Sequence, residues 1–356
     1  MNYKILRSVV TIILFICGYN IMAQESMNTD SIEKSIDKYL TYFSNDNPGA
    51  VVSVIKEGNI IFNKSYGLAN VESKSQLSVN NVFNIAALSK QFTALAILKL
   101  VEKRKISLDD NLQKIFPNFP DYGANIKVKN LLDHTSGLPP YDVNNINSNG
   151  ELFEFLIKQN ELTFKPGTKW QHSNSDYALL AYIIEKVSKM SYKQYLDKYV
   201  FRKLQMNNTY VGANKVIDNN NLGHFKIDDS YVPRRETDLV LGEQGIYTNS
   251  IDFAKWDKSL YSNQLLRCEN LKEFFTVHPT KDNINTVYGF GWIVMTKYGV
   301  KYYWHGGSVS GYTNLVLHIP DLKLTVLLLS NRNDGYEFLK MAIYIAQLFE
   351  KNLNLL

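Results

Sequence analysis

The chain has 356 residues, 45% of them hydrophobic and 21% charged, with a formal net charge of +5. That length and apolar share suffice for one large core or two closely packed ones, and they exclude a disordered chain. The small basic surplus comes without a Lys/Arg run, which argues against nucleic-acid binding and fits solvated surface lysines.

Lys4 and Arg7 form a charged start, and Val9 to Gly18 is a nearly continuous apolar stretch too short to span a bilayer. Ile21-Met22-Ala23 then places a small residue before a cut ahead of Gln24. Residues 1–23 are therefore predicted to be a signal peptide, and residues 24–356 an exported domain, periplasmic or secreted, with no stable membrane span after processing. An uncleaved anchor is the competing reading. Ile16 stands where lipoprotein processing wants a small residue, which argues against a lipid on Cys17. Cys268 is the other cysteine, so the mature chain has no internal disulfide and depends on packing.

Asp30 to Tyr42 has helical spacing, with Ile32, Ile36, Tyr39 and Leu40 on one face. Val51 to Ile55 and Ile60 to Tyr66 read as strands joined through Glu57-Gly58-Asn59, a hairpin signal. Phe92 to Val101 is apolar almost all round, the pattern of a helix buried in a core. From about Leu108 to Leu241 the reading is mostly helical, with apolar runs such as Leu152 to Ile157 and Tyr177 to Val187 between Pro/Gly/Asn turns. Strand-like runs return at Phe290 to Met295, Val300 to Trp304, Thr313 to Ile319 and Leu322 to Leu329, and a helix closes the chain from about Glu337 to Phe349. Two distant strand sets can share one antiparallel sheet if the helical middle is an insertion. The sheet part would then cover about 27–106 and 242–356, and the insertion about 107–241, with a ligand cleft between them.

Three constellations could carry chemistry. The first opens the buried helix: Asn84-Ile85-Ala86-Ala87-Leu88-Ser89-Lys90. In a Ser-x-x-Lys motif the two side chains share a helix face, so the lysine can take the serine proton beside a helix N-terminus that favours negative charge. Lys90 is present, but Ala87 stands three residues before it. The pattern alone is weak, since Ser31-Ile32-Glu33-Lys34 and Ser53-Val54-Ile55-Lys56 also fit it without meaning. The second is His172-Ser173-Asn174, after the turn Pro166-Gly167-Thr168 and before a helix. An imidazole there can move protons near neutral pH, while Asn174 fits either a ligand-binding amide or a simple helix cap. The third is His305-Gly306-Gly307 at a strand end, where glycine admits a ligand close to the backbone, or simply makes a turn. No paired histidine spacing suggests a metal, and no cofactor is implied.

With these motifs in view, the chain resembles the serine β-lactamase and penicillin-binding-protein superfamily. The nearest branch contains class C β-lactamases, D-alanyl-D-alanine carboxypeptidases, D-aminopeptidases and related esterases. Leu131-Leu132-Asp133-His134-Thr135-Ser136-Gly137-Leu138 resembles a specific family octet, in which His134 and Ser136 are expected to shape a loop rather than react. Tyr288-Gly289-Phe290-Gly291-Trp292 and Gly245-Ile246-Tyr247-Thr248 match two further segments. The resemblance implies a five-stranded antiparallel sheet flanked by helices, an α+β fold with an all-helical insertion. It also implies hydrolysis of an amide or ester through an acyl-enzyme. Carried over by position, residue 87 is the nucleophile site, Lys90 the base or proton partner and His172 the relay where the family has tyrosine. Asn174, His305, Gly306 and Gly307 bind substrate: a cell-wall peptide, a β-lactam or an ester. A backbone N–H of the His305 strand and that of residue 87 would form an oxyanion hole.

The chain departs from that pattern at Ala87, which lacks the hydroxyl, and at His172, which lacks the phenol. Loss of a serine nucleophile costs roughly 10⁶ in kcat. Three explanations stand: a natural pseudoenzyme that binds a ligand, peptide or regulatory partner; an active hydrolase mutated at position 87; or an unusual nucleophile such as Ser89 or a water activated by His172. Ser89 is two residues on, so a helix points it about 200° away from position 87. The change at His172 favours natural loss of acyl chemistry.

Overall fold

The computed structural model describes residues 30–43, 46–143, 145–212, 221–234, 240–281, 287–334 and 337–355. The expected signal peptide lies outside them.

The framework is an antiparallel sheet of six strands in the spatial order Ile293–Lys297, Val300–Val309, Tyr312–Ile319, Leu324–Ser330, Ala50–Lys56 and Asn59–Tyr66. The two ends of the chain meet at its centre, with Ala50 opposite Ser330 and Lys56 opposite Leu324. Both central strands are apolar runs buried on both faces, as strands covered by helices on each side must be. The sheet has one strand more than the five expected from the resemblance. The sixth is the edge strand Ile293–Lys297, formed from the run expected at Phe290 to Met295. It starts late because Gly291 sits at φ +82°, which breaks the extended backbone before Ile293.

The strand alternation divides the core in two. Val52, Val54, Val326 and Leu328 point to one face, where Ile36, Leu40, Met341, Ala342 and Ile345 cover them. These belong to the helix 30–39, with Leu40 in the turn that follows it, and to the helix Phe338–Phe349. Val51, Ile55, Leu327 and Leu329 point to the other face and join the larger core with the Ser89–Glu102 helix. Tyr39, expected on the buried face of the first helix, is 41% exposed and rests on Tyr344 at a ring separation of 4.5 Å. The hairpin turn forms as read: Glu57 and Gly58 both take positive φ, +53° and +74°, the conformation whose twist suits a two-residue connection.

The middle of the chain packs on the larger core through Leu112–Ile115, Val128–Leu132, Asn149–Ile157, Asn174–Ser188 and Tyr192–Leu196. It is not wholly helical, because Gly223–Ile227 and Ser230–Arg234 form a β-hairpin within it. Arg332 reaches that hairpin through Tyr231 and Asp334 and ties it to the sheet. Among the described residues no helix is long and apolar enough to cross a membrane.

Candidate active-site cleft

Every residue from Ser89 to Leu98 is buried, so the Ser89–Glu102 helix is fixed in the core on all sides. Its entry is a short 3-10 turn, Ala86–Leu88. Ala86 there takes φ +49°, a left-handed conformation that strains a residue with a Cβ by about 1–2 kcal/mol. Asn84 compensates locally, since its Oδ1 accepts the Ala86 N–H at 2.9 Å, and Asn314 holds the Asn84 carbonyl from the sheet at 2.9 Å. The turn leaves Ala87 half-buried between two buried neighbours.

Opposite it runs the strand Val300–Val309. Its outer neighbour pairs only as far as Trp304, so beyond that residue this edge has no partner among the described strands. Gly307 stands against the helix entry so closely that a Cβ there would lie 2.6 Å from the Ala87 nitrogen. A larger residue at 307 would close the gap between strand and turn.

Lys90 is fully buried, and its Nζ donates to Asn174 Oδ1 at 3.0 Å and to the Glu243 carbonyl at 3.2 Å. The Glu243 carboxylate lies 3.6 Å away. Burial pulls the Lys90 pKa down, opposed chiefly by the Glu243 charge. Asn174 is the first residue of its helix, with Ser173 in the cap position, and its side chain turns to Lys90.

His172 sits at the exposed rim two residues before Asn174. Its outer edge meets water. Desolvation of the rest of the ring, and then the Lys90 charge, bring its pKa down to about 4, so it is a neutral imidazole at pH 7. Behind it lies His134, with ring centroids 4.9 Å apart. His134 and Ser136 do shape a loop. The His134 carbonyl accepts the Gln171 N–H at 3.0 Å, its Nδ1 is 2.9 Å from Asp176 Oδ2, and Ser136 Oγ donates to Asp176 Oδ1 at 2.5 Å. These bonds fix the 134–137 loop against the start of the Asn174 helix.

His305 is buried, with its ring turned inward. Its Nε2 lies 3.0 Å from the Tyr288 hydroxyl and its Nδ1 lies 2.7 Å from the Gly306 carbonyl. That pattern assigns the proton to Nδ1 and makes Nε2 the acceptor from tyrosine. Burial first, then Lys90, bring its pKa down to about 3. Ser89 is buried on the far side of the helix, where its Oγ accepts the Ile246 N–H at 3.2 Å, and so it does not face the cleft.

The structure thus links Ala87 with Gly307, Lys90 with Asn174, and His172 through His134 and Tyr288 with His305. Sequence reasoning missed Glu243 and Asp176, and it gave Tyr288 no part. The one available signal for Glu243 was an acid between Gly242 and Gly245, beside a segment already singled out.

This sheet-and-helix body, with a buried helix whose lysine meets an asparagine and whose entry turn meets a glycine of a strand edge, defines the β-lactamase and penicillin-binding-protein class. The chain belongs to the Beta-lactamase family, whose model matches residues 30–350. It is 29% identical over 307 residues to Penicillin-binding protein 4* of Bacillus subtilis (strain 168), covering 79% of this chain and 67% of that protein. It is 28% identical over 310 residues to Protein flp of Staphylococcus aureus (strain MW2), covering 81% of this chain and 60% of that protein. The octameric penicillin-binding protein homologue from Pyrococcus abyssi has a similar structure, with a TM-score of 0.81 at 28% identity over 91% of this chain and 77% of that one. A D-amino acid amidase from Ochrobactrum anthropi SV3 shares the fold, with a TM-score of 0.77 at 19% identity over 91% of this chain and 99% of that one.

Proposed function

We propose that this β-lactamase-related chain is an extracytoplasmic pseudoenzyme. In this reading its cleft binds an amide- or ester-bearing ligand of the cell-wall-peptide, β-lactam or simple-ester class, with little or no turnover. The observation that carries the reading is Ala87. It stands at the helix entry, against Gly307 and one turn before Lys90, where the family reaction needs a nucleophile. Lys90 and Asn174 are joined beside it, and the His305–Gly307 edge offers backbone groups to a ligand. His172 in the tyrosine position is a second departure and favours natural loss over an engineered change at 87 alone. Residues 1–23 supply the export signal in this reading.

The test compares the parent protein with Ala87→Ser, both purified without residues 1–23. Each is incubated with a fluorescent penicillin, a serine-directed fluorophosphonate and a chromogenic ester. The parent is expected to stay unlabelled and silent with ester while retaining reversible ligand binding. Turnover by the parent would overturn the reading. Labelling of Ala87→Ser would show that the remaining machinery is intact and make the loss recent or engineered. Silence of both proteins would favour the binding module.

A further inference from the structure

Lys90 is surrounded by acceptors. Asn174 Oδ1, the Glu243 carbonyl and a Glu243 carboxylate oxygen lie 3.0, 3.2 and 3.6 Å from its Nζ. An ammonium group has three N–H donors and no acceptor; Asn174 Oδ1 and the Glu243 carbonyl accept two hydrogen bonds, and the carboxylate at 3.6 Å is an ion-pair contact that favours the charged form alone. Both partners are buried, the lysine side chain completely and the glutamate side chain to within 5%. An unpaired charge at such a place is disfavoured, and a partner that offsets its desolvation decides which form the lysine takes.

The turn that delivers Glu243 is built for that position. Gly242 takes φ +105°, and a Cβ there would lie 2.5 Å from both the Tyr177 carbonyl and the Ala181 Cβ, so only glycine lets the turn approach the Asn174–Ser188 helix. The Gly242 carbonyl accepts the Thr93 hydroxyl at 2.6 Å, which fixes the turn to the lysine's own helix. Gly245 follows at φ +94°, and Tyr141 donates to Glu243 Oε1 at 3.3 Å.

We propose that Glu243 is a positioning residue of this cleft: it holds Lys90 as an ammonium ion turned toward Asn174 and the 242–245 turn, so that the lysine serves as an electrostatic anchor and not as a free base. The proposal rests on the reading of the cleft as the ligand site. The other groups that bear on Lys90 are the Asp176 carboxylate, the Tyr177 ring at 5.7 Å and the imidazoles of His134, His172 and His305. Of these the Asp176 carboxylate and the face of the Tyr177 ring add to the stabilisation of the cation, the carboxylate less than Glu243.

The test reads Lys90 directly. The parent protein is labelled with ¹³C-lysine, the Lys90 Cε signal is assigned with Lys90→Arg, and its shift is followed against pH. The same titration is run on Glu243→Gln and Glu243→Asp, with folding checked by circular dichroism. Glu243→Gln keeps an acceptor but drops the charge. Its Lys90 midpoint is expected to fall by at least about one pH unit, a tenfold loss of proton affinity. Glu243→Asp withdraws the carboxylate by one methylene and should fall by less. An unchanged midpoint in Glu243→Gln overturns the proposal. If that variant does not fold, an unchanged midpoint in Glu243→Asp does so. No chemistry at position 87 is read, so the result stands whether or not Ala87→Ser reacts.

Discussion

Lys90 and Asn174 are 84 residues apart in sequence and meet at 3.0 Å, joining the buried helix to the start of the Asn174–Ser188 helix. The bond replaces water for a lysine that has no access to it. Asn174→Ala should remove one of the two hydrogen-bond acceptors of a buried charge and destabilise the protein by about 1–3 kcal/mol. Urea unfolding at pH 7 checks this, and a change within about 0.5 kcal/mol would show that Asn174 does not hold Lys90.

The same pair bears on the chemistry at position 87. If Ala87→Ser is labelled by fluorophosphonate, adding Lys90→Met should slow labelling by roughly 10²-fold or more, because the cation that stabilises negative charge developing beside it is gone. Equal labelling rates would mean that the restored serine is activated by another group, with His172 the first to examine.

Gly306 and Gly307 are adjacent and make opposite predictions. A Cβ at 307 would come 2.6 Å from the Ala87 nitrogen, whereas at 306 its nearest neighbours lie 3.8 Å away. Gly307→Ala should cost about 1–3 kcal/mol through overpacking, while Gly306→Ala should stay within about 0.5 kcal/mol of the parent. Thermal unfolding of the two variants side by side is sufficient. Equal midpoints would contradict the close approach of strand and helix entry.

His305 gives a pH dependence with a definite sign. Its pKa is about 3 in the fold against 6.5 when unperturbed. Below pH 6.5 the unfolded chain therefore binds the extra proton and is favoured. Stability that is present at pH 7 is lost as pH falls toward 3. His305→Asn removes this linkage. Between pH 7 and pH 4.5 the parent should lose about 2–3 kcal/mol more than the variant. Parallel urea curves at the two pH values would show that the imidazole takes its proton in the fold as readily as outside it.

Local pattern made much of the fold legible. All six sheet strands appear as apolar or alternating runs, because each must cover at least one face of a core. The Ser89–Glu102 helix reads as buried because no polar stripe interrupts Phe92 to Leu98. The strand count taken from the resemblance was one too low, although the residues themselves showed six runs. The hairpin Gly223–Arg234 was missed. It alternates weakly, leaving Ile227 and Val232 exposed at 56% and 45%, so burial did not write a pattern into it.

Ala87, Lys90, His172, Asn174 and His305-Gly306-Gly307 were each readable, because fixed spacings at a helix start or a strand end are local properties. Glu243 was not. A single acid in a loop looks solvated until the loop is folded against Thr93, Tyr177 and Tyr141.

The sequence by itself determined the family, the elements and the missing hydroxyl, since backbone propensity, burial pattern and residue identity are all carried along the chain. Only the tertiary structure decided how the charges are placed. It turned His305 inward onto Tyr288, hid Ser89 under Ile246 and enclosed Lys90 between Asn174 and Glu243. The physical reason is that desolvation and ion pairing depend on what lies within a few ångströms in space. In this fold those neighbours come from segments 17 to 157 residues away.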